Sequence, residues 1–233
     1  MRLNVILFCL LFSFAMFVGA MMVPVNLDSD TLPNLVARTL PAVVEVRPGF
    51  ARWMGVGVLV SSDGWILTAK HLVEKQDVMI VTALDGMKYM STTIIEDPNN
   101  DLAYLKIDIE DAPHVKLSRS YPRHGEYIYA IGHPRKMFNS VSLGIVSNVR
   151  IDVPGFGFDL IVIDAEITGG NSGGPLFNME GRLLGIVVAG SVYYSGIEAN
   201  LVVPIMRSEE LLDGYLGQQK IPTDCNSVGV PSL

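Results

Sequence analysis

Short apolar runs, each about the length of one strand, recur along the chain among 22 glycines and 13 prolines and constrain its fold more than any other feature. In the first half they are Val43 to Val46, Val56 to Val60, Trp65 to Ala69, Val78 to Ala83, Tyr89 to Ile95 and Leu102 to Ile107. After a turn-rich passage, Ser118 to Gly125, come Tyr127 to Ile131, Val141 to Asn148, Leu160 to Ile163, Pro175 to Phe177, Leu183 to Val188 and Ala199 to Val203. Runs of this length are too short for helices, and even spacing with turn signals between them is the pattern of sandwiches and barrels. Two comparable sets of six predict an all-β chain of two six-stranded β-barrels, over residues 39–108 and 126–204, with a linker near 109–125. Helices are confined to the ends. Asp28 to Arg38 reads as an amphipathic lead-in with Leu32, Leu35 and Val36 on one face, Arg207 to Leu216 as a short C-terminal helix, and 218–233 as a polar tail.

With 49% hydrophobic and 18% charged residues the chain has ample material for a buried core. Its net charge of −7 and its lack of any Lys/Arg block exclude nucleic acid as the main partner, because phosphate binding needs clustered cations. The N-terminus has a different character. Met1 and Arg2 precede an apolar run from Val5 to Val18, and Val18-Gly19-Ala20 offers small residues for cleavage, the pattern of a signal peptide. The apolar stretch continues to Val23, so 5–23 left uncut also has the length of a membrane anchor. Either way the rest of the chain, 24–217 as one domain, is expected outside the cytoplasm, periplasmic or extracellular. Cys9 lies in the targeting segment and Cys225 in the tail, so the domain has no internal disulfide to form.

One stretch combines a hydroxyl with a cluster of glycines: Thr168-Gly169-Gly170-Asn171-Ser172-Gly173-Gly174-Pro175. Glycine loses the most conformational freedom on folding, so such a cluster is costly unless the backbone has a task. A serine nucleophile supplies one, since it needs a base, a group to orient the base, and backbone N–H donors for the oxyanion. Composition alone leaves a plain loop as an equal reading. Of the four histidines, His114, His124 and His133 lie in turn-like stretches, whereas His71 follows a strand directly. For the orienting carboxylate, Asp101 precedes an alternating apolar run, with Asp97 and Asp108 as competitors. The histidines and cysteines show no metal-ligand spacing, so neither metal nor organic cofactor is expected.

The segments "GVGVLVSSDGWILTAKHLV", "DPNNDLAYLKI", "AIGHPRKMFNSVSLGIVSNV" and "ITGGNSGGPLFNMEGRLLGIVVAG" resemble, in order and spacing, the HtrA (Deg) serine proteases of the chymotrypsin fold, over residues 30–215. The resemblance implies His71 as general base, Asp101 as its orienter, Ser172 as nucleophile and the N–H groups of Gly170 and Ser172 as oxyanion hole. It implies a polypeptide substrate, with homo-oligomers an open expectation, and a substrate pocket drawn from Glu166, Ile167, Thr168, Val188, Ala189, Gly190, Asn200 and Leu201. Glu166, six residues before the nucleophile, stands where relatives have a small apolar residue, and offers two readings. A buried carboxylate would select Lys or Arg, and an outward one would leave an aliphatic pocket. Lys70 before the histidine, Gly169, and the absence of room for a PDZ domain after the closing helix are departures from the family pattern. Three functions follow as alternatives: an exported endopeptidase, a same-fold hydrolase with one dedicated substrate, or an inactive protease-fold binding module.

Overall fold

The computed structural model describes residues 31–49, 54–153, 156, 159–194 and 197–208. The predicted segment 1–23, the start of the lead-in helix, all but the first residues of the closing helix, and the tail lie outside these. Met1–Pro33 and Asn34–Leu233 are separate compact units, and of the first only the opening residues of helix α1 (Thr31–Thr39) are described. Pro33 is tolerated in α1 because the first-turn N–H groups have no intrahelical acceptor. At the other end Thr39 Oγ1 bonds back to Leu35 O at 3.0 Å and lies 3.2 Å from Tyr129 Oη.

Fourteen strands follow in the described residues, and all twelve predicted runs are among them. The first barrel contains β1 (Val43–Pro48), β2 (Gly55–Leu59), β3 (Trp65–Thr68), β4 (Met79–Thr82), β5 (Lys88–Ser91), β6 (Thr93–Glu96) and β7 (Ala103–Lys106), in the order β5-β4-β1-β2-β3-β7-β6. The run read as one strand from Tyr89 is thus two, broken at Thr92, where Ser91 Oγ donates to Thr93 O at 3.0 Å. Since β5 pairs with β4 and β6 with β7, the bent segment carries the sheet round the corner and nearly closes the barrel. The six-strand expectation holds when β5 and β6 are counted as one bent strand.

Barrel two comprises β9 (Tyr127–Gly132), β10 (Ser140–Asp152), β11 (Asp159–Ile163), β12 (Pro175–Asn178), β13 (Arg182–Tyr194) and β14 (Ile197–Pro204). Pairing of β12 with both β9 and β13 closes this sheet completely. Its interior is aliphatic, with Ile128, Val146, Ile161, Leu176, Val187 and Val202 at its centre. The linker is more structured than expected. Ala112 N and Val115 N donate to Ser62 O and Leu59 O of barrel one, after which β8 (Lys116–Leu117) runs parallel to β13 of barrel two. After β14 the chain enters a 3-10 turn, Ile205–Ser208, at the place where the closing helix was expected to begin.

Candidate active site

His71 sits where strand β3 gives out. Ala69 is fully buried, Lys70–Leu72 form a 3-10 turn, and buried Leu72 and Val73 fix that turn while His71 keeps 41% of its side chain exposed. Asp101 holds it twice, its Oδ1 accepting from His71 N at 2.9 Å and its Oδ2 lying 2.7 Å from Nδ1. A carboxylate so placed selects the tautomer with the proton on Nδ1, which leaves the Nε2 lone pair available as a base.

The two competing aspartates have other positions. Asp97, 2% exposed, builds the turn that presents Asp101: its carboxylate accepts from Asn99 N (2.8 Å), Asn100 N (3.0 Å) and Asn100 Nδ2 (3.1 Å). Asp108 is exposed. Lys70 does not turn its charge on the imidazole; its Nζ donates to Asp97 O at 2.9 Å and so ties the histidine turn to the aspartate turn. Of the remaining histidines, exposed His114 contacts Ala112 O and exposed His124 contacts Asn148, while His133 is buried.

Ser172 is the second residue of the latter of two consecutive β-turns that share Asn171. Asn171 N donates to Thr168 O (3.1 Å) with Gly170 at φ +104°, and Gly174 N donates to Asn171 O (2.9 Å) with Gly173 at φ +81°. Positive φ at the third position defines type II turns and explains both glycines. At Gly173 there is also no room, since a Cβ would run into Val56 O, Thr68 Oγ1 and Leu72 of barrel one. Barrel one reinforces the grip: Val56 N donates to Ser172 O at 2.9 Å, and Thr68 Oγ1 donates to Val56 O at 2.7 Å. Ser172 is thereby brought against the strand end that carries His71. Its Oγ and His71 Nε2 share no hydrogen bond here, and such bonds commonly tighten only when substrate is bound.

The peptide groups flanking the serine are oriented from behind. In a trans peptide N–H and C=O point in opposite directions, and the described residues contain no cis bond. Gly169 O accepts from Arg135 N at 2.9 Å, which turns the Gly170 N–H away from the 133–139 loop; Asn171 O accepts from Gly174 N, which turns the Ser172 N–H away from Gly174. Neither of these two N–H groups has an acceptor among the described residues, whereas Asn171 N and Gly173 N are both bonded. Sequence reasoning missed the Arg135 donor because a backbone N–H carries no sequence signature.

The specificity residues separate by burial. Glu166 is exposed, and among the described residues it forms neither hydrogen bond nor ion pair. Ile167, Val188 and Leu201 are buried aliphatic groups, Thr168 and Ala189 are partly exposed, and Asn200 Nδ2 is committed to Ala165 O at 2.8 Å. Gly190 lies against Ile167, whose O a Cβ would meet at 2.5 Å. A cleft of about 390 Å³ is lined by His71 together with Lys70, Glu74, Asn99, Asp101 and Phe156 among others. No group of three His, Cys, Asp or Glu converges among the described residues.

The family model of a trypsin-like peptidase domain matches residues 55–186. A "probable periplasmic serine endoprotease DegP-like" of Chlamydia pneumoniae is 36% identical over 185 residues, which is 73% of this chain and 38% of the relative. Among solved structures, the HtrA-type protease AlgW with tripeptide superposes with a TM-score of 0.72 at 32% identity, covering 81% of this chain and 64% of that one. The serine endoprotease from Yersinia pestis does so at 0.69 and 30%, covering 84% and 68%. The chain thus spans less than two-fifths of the length of that curated relative.

Proposed function

The chain belongs to the trypsin-like peptidases of HtrA type, and on that premise we propose that it is a serine endopeptidase that hydrolyses peptide bonds of exported or misfolded proteins through an acyl-enzyme on Ser172. The observation that carries the reading is the double hold of Asp101 on His71, with Nε2 left open beside the clamped serine turn. In the first step Ser172 Oγ attacks the scissile carbonyl carbon as His71 Nε2 takes the hydroxyl proton. The carbonyl oxygen becomes an oxyanion that accepts from the Gly170 and Ser172 N–H groups. His71 then passes its proton to the leaving amine as the C–N bond breaks. In the second half a water, deprotonated by His71, attacks the ester, and collapse returns the proton to Ser172 Oγ. No step needs a metal or an organic cofactor.

Residues Ile167, Val188 and Leu201 favour an aliphatic side chain before the scissile bond, and the exposure of Glu166 supports this over the basic pocket. Action outside the cytoplasm is supported by the relatives' description as periplasmic and by the signal-like or anchor-like character of residues 1–23. Fluorophosphonate labelling followed by casein digestion tests the whole reading. Wild type should be labelled and should cleave casein, while Ser172→Ala should do neither and remain folded. His71→Ala should lose turnover by a comparable factor, roughly 10⁶-fold, because triad members act as a unit. Labelling without digestion would indicate a hydrolase with a dedicated substrate. Neither activity in folded wild type would leave a binding module.

A further inference from the structure

His133 takes no part in the proton transfers, yet it is 2% exposed and lies directly behind the oxyanion turn. It opens the loop between β9 and β10, and that loop is conformationally costly. Arg135 (φ +48°), Lys136 (φ +69°) and Asn139 (φ +61°) all adopt left-handed backbone without being glycine. A loop of this kind keeps its shape only where its surroundings over-determine it. Local bonds contribute: Lys136 N donates to His133 O (3.1 Å), Met137 N to Pro134 O (2.8 Å) and Ser140 Oγ to Met137 O (2.9 Å). The buried anchor is the imidazole, whose Nδ1 accepts from Asn139 N at 3.0 Å and whose ring packs on Phe138 at 5.2 Å. From this fixed loop His133 N reaches Gly170 O (3.4 Å) and Arg135 N reaches Gly169 O (2.9 Å).

We infer that His133 is a positioning residue for the oxyanion turn: its Nδ1 pins Asn139, the pinned loop aims Arg135 N–H at Gly169 O, and the Gly170 N–H is thereby held toward the scissile carbonyl. The inference rests on the hydrolase reading above. Nδ1 can play this part only without a proton, since a protonated ring would turn a second donor on the Asn139 N–H. Burial favours the required state and lowers the pKa of His133, against weaker opposing effects from the Gly132 backbone and from Glu45 on β1. The buried polar side chain of the oxyanion turn, Asn171, is neutral and lies against Gly132, and the loop's own cations, Arg135 and Lys136, are exposed. At acid pH, protonation of His133 should release the loop and cost turnover without costing substrate affinity.

The test compares wild type, His133→Asn, whose Oδ1 can still accept from Asn139 N, and His133→Leu, which fills the space without an acceptor. Kinetics on a fluorogenic peptide from pH 5 to 8 are combined with ¹⁵N imidazole spectra of the wild type. At pH 8 His133→Leu should lose about tenfold or more in kcat, part of what an oxyanion donor is worth, with KM changed by no more than about twofold. His133→Asn should retain kcat at pH 8 and lose kcat less steeply than wild type on acidification. A folded His133→Leu with wild-type kcat, an Asn variant as damaged as Leu, or a protonated Nδ1 at pH 8 would each overturn the inference. If His133→Leu does not fold, a wild-type kcat that falls on acidification no more steeply than that of His133→Asn would overturn it as well. If the wild type hydrolyses nothing, the hydrolase reading fails by itself. The clamp is then read from hydrogen exchange at the Asn139 amide, which should be slow in wild type and Asn and fast in Leu, equal rates refuting it.

Discussion

Replacing Gly170 by alanine should disable turnover while leaving the fold in place. At φ +104° alanine is strained by roughly 1–3 kcal/mol, and its methyl group would meet His133 O, a backbone atom that cannot rotate away. The turn has one inexpensive escape. Rotating the Gly169–170 peptide converts it to type I, where the third residue sits near φ −90°, and breaks the Arg135 N–H bond to Gly169 O. A single such bond is worth about 0.5–1.5 kcal/mol, less than strain and collision together, so the rotated turn should win. Rotation also turns the Gly170 N–H away from the substrate, and loss of one oxyanion donor costs roughly 10²–10³ in kcat, about 2.7–4 kcal/mol. The assay is kcat and KM on a fluorogenic peptide beside a thermal melt. KM should stay within a few-fold and Tm should fall by about 2–4 °C per kcal/mol lost. A folded variant with wild-type kcat would refute the reasoning, because the Gly170 N–H would then not be an oxyanion donor.

Three further outcomes are expected. Asp101→Asn keeps an acceptor for His71 N but sets an amide against Nδ1, favouring the wrong tautomer, so kcat should drop by about 10⁴ with folding intact; a loss below tenfold would remove Asp101 from its role. Glu166→Ala should leave an aliphatic preference unchanged in a peptide-library digest, whereas an Arg or Lys preference that collapsed in the variant would establish the acidic pocket. Because the folded-state pKa of His133 lies below its usual 6.5, the unfolded chain binds its proton first on acidification. This contribution to stability is complete above pH 6.5 and is lost as pH falls through the lowered folded value. The urea midpoint of wild type should therefore decline more steeply from pH 7.5 to 5 than that of His133→Asn, and parallel declines would contradict it.

The strands were legible because each apolar run is short, with turn formers frequent between runs, and because two sets of equal size leave few architectures. Legibility ended where one polar contact decides the outcome. The break at Thr92 depends on Ser91 Oγ finding Thr93 O, and β8 is two residues, too short for any periodicity to show. At the candidate site, residue type and places after or before strands made His71, Asp101 and Ser172 candidates, with Asp97 and Asp108 still competing, and only the family resemblance gave them roles. The destination of Lys70 could not, since a flexible cation beside a histidine reads alike whether it faces the ring or Asp97 O. His133 looked like a turn residue beside a proline, which it is. Nothing in "GHPRK" tells that its ring is buried or that Asn139 bonds to it. Arg135 matters to the oxyanion turn through its amide, not its guanidinium, and so lies beyond any reading of side chains.

The Ser172 loop belongs to the second barrel, but Val56, Thr68 and Leu72 of the first barrel hold it in shape. A ribosome delivers these three residues a hundred or more positions ahead of Ser172, so on the proposed reading the half that arrives first carries the mould and the half that arrives last carries the weapon. On the proposed endopeptidase reading, cutting power then emerges as the final event of maturation, after both halves have closed on one another, and sister molecules still unfolded nearby are not exposed to a prematurely armed neighbour. Damage should run the same sequence backwards: heat or acid that parts the two halves slackens the serine turn before either barrel opens, and an injured molecule falls silent instead of becoming indiscriminate.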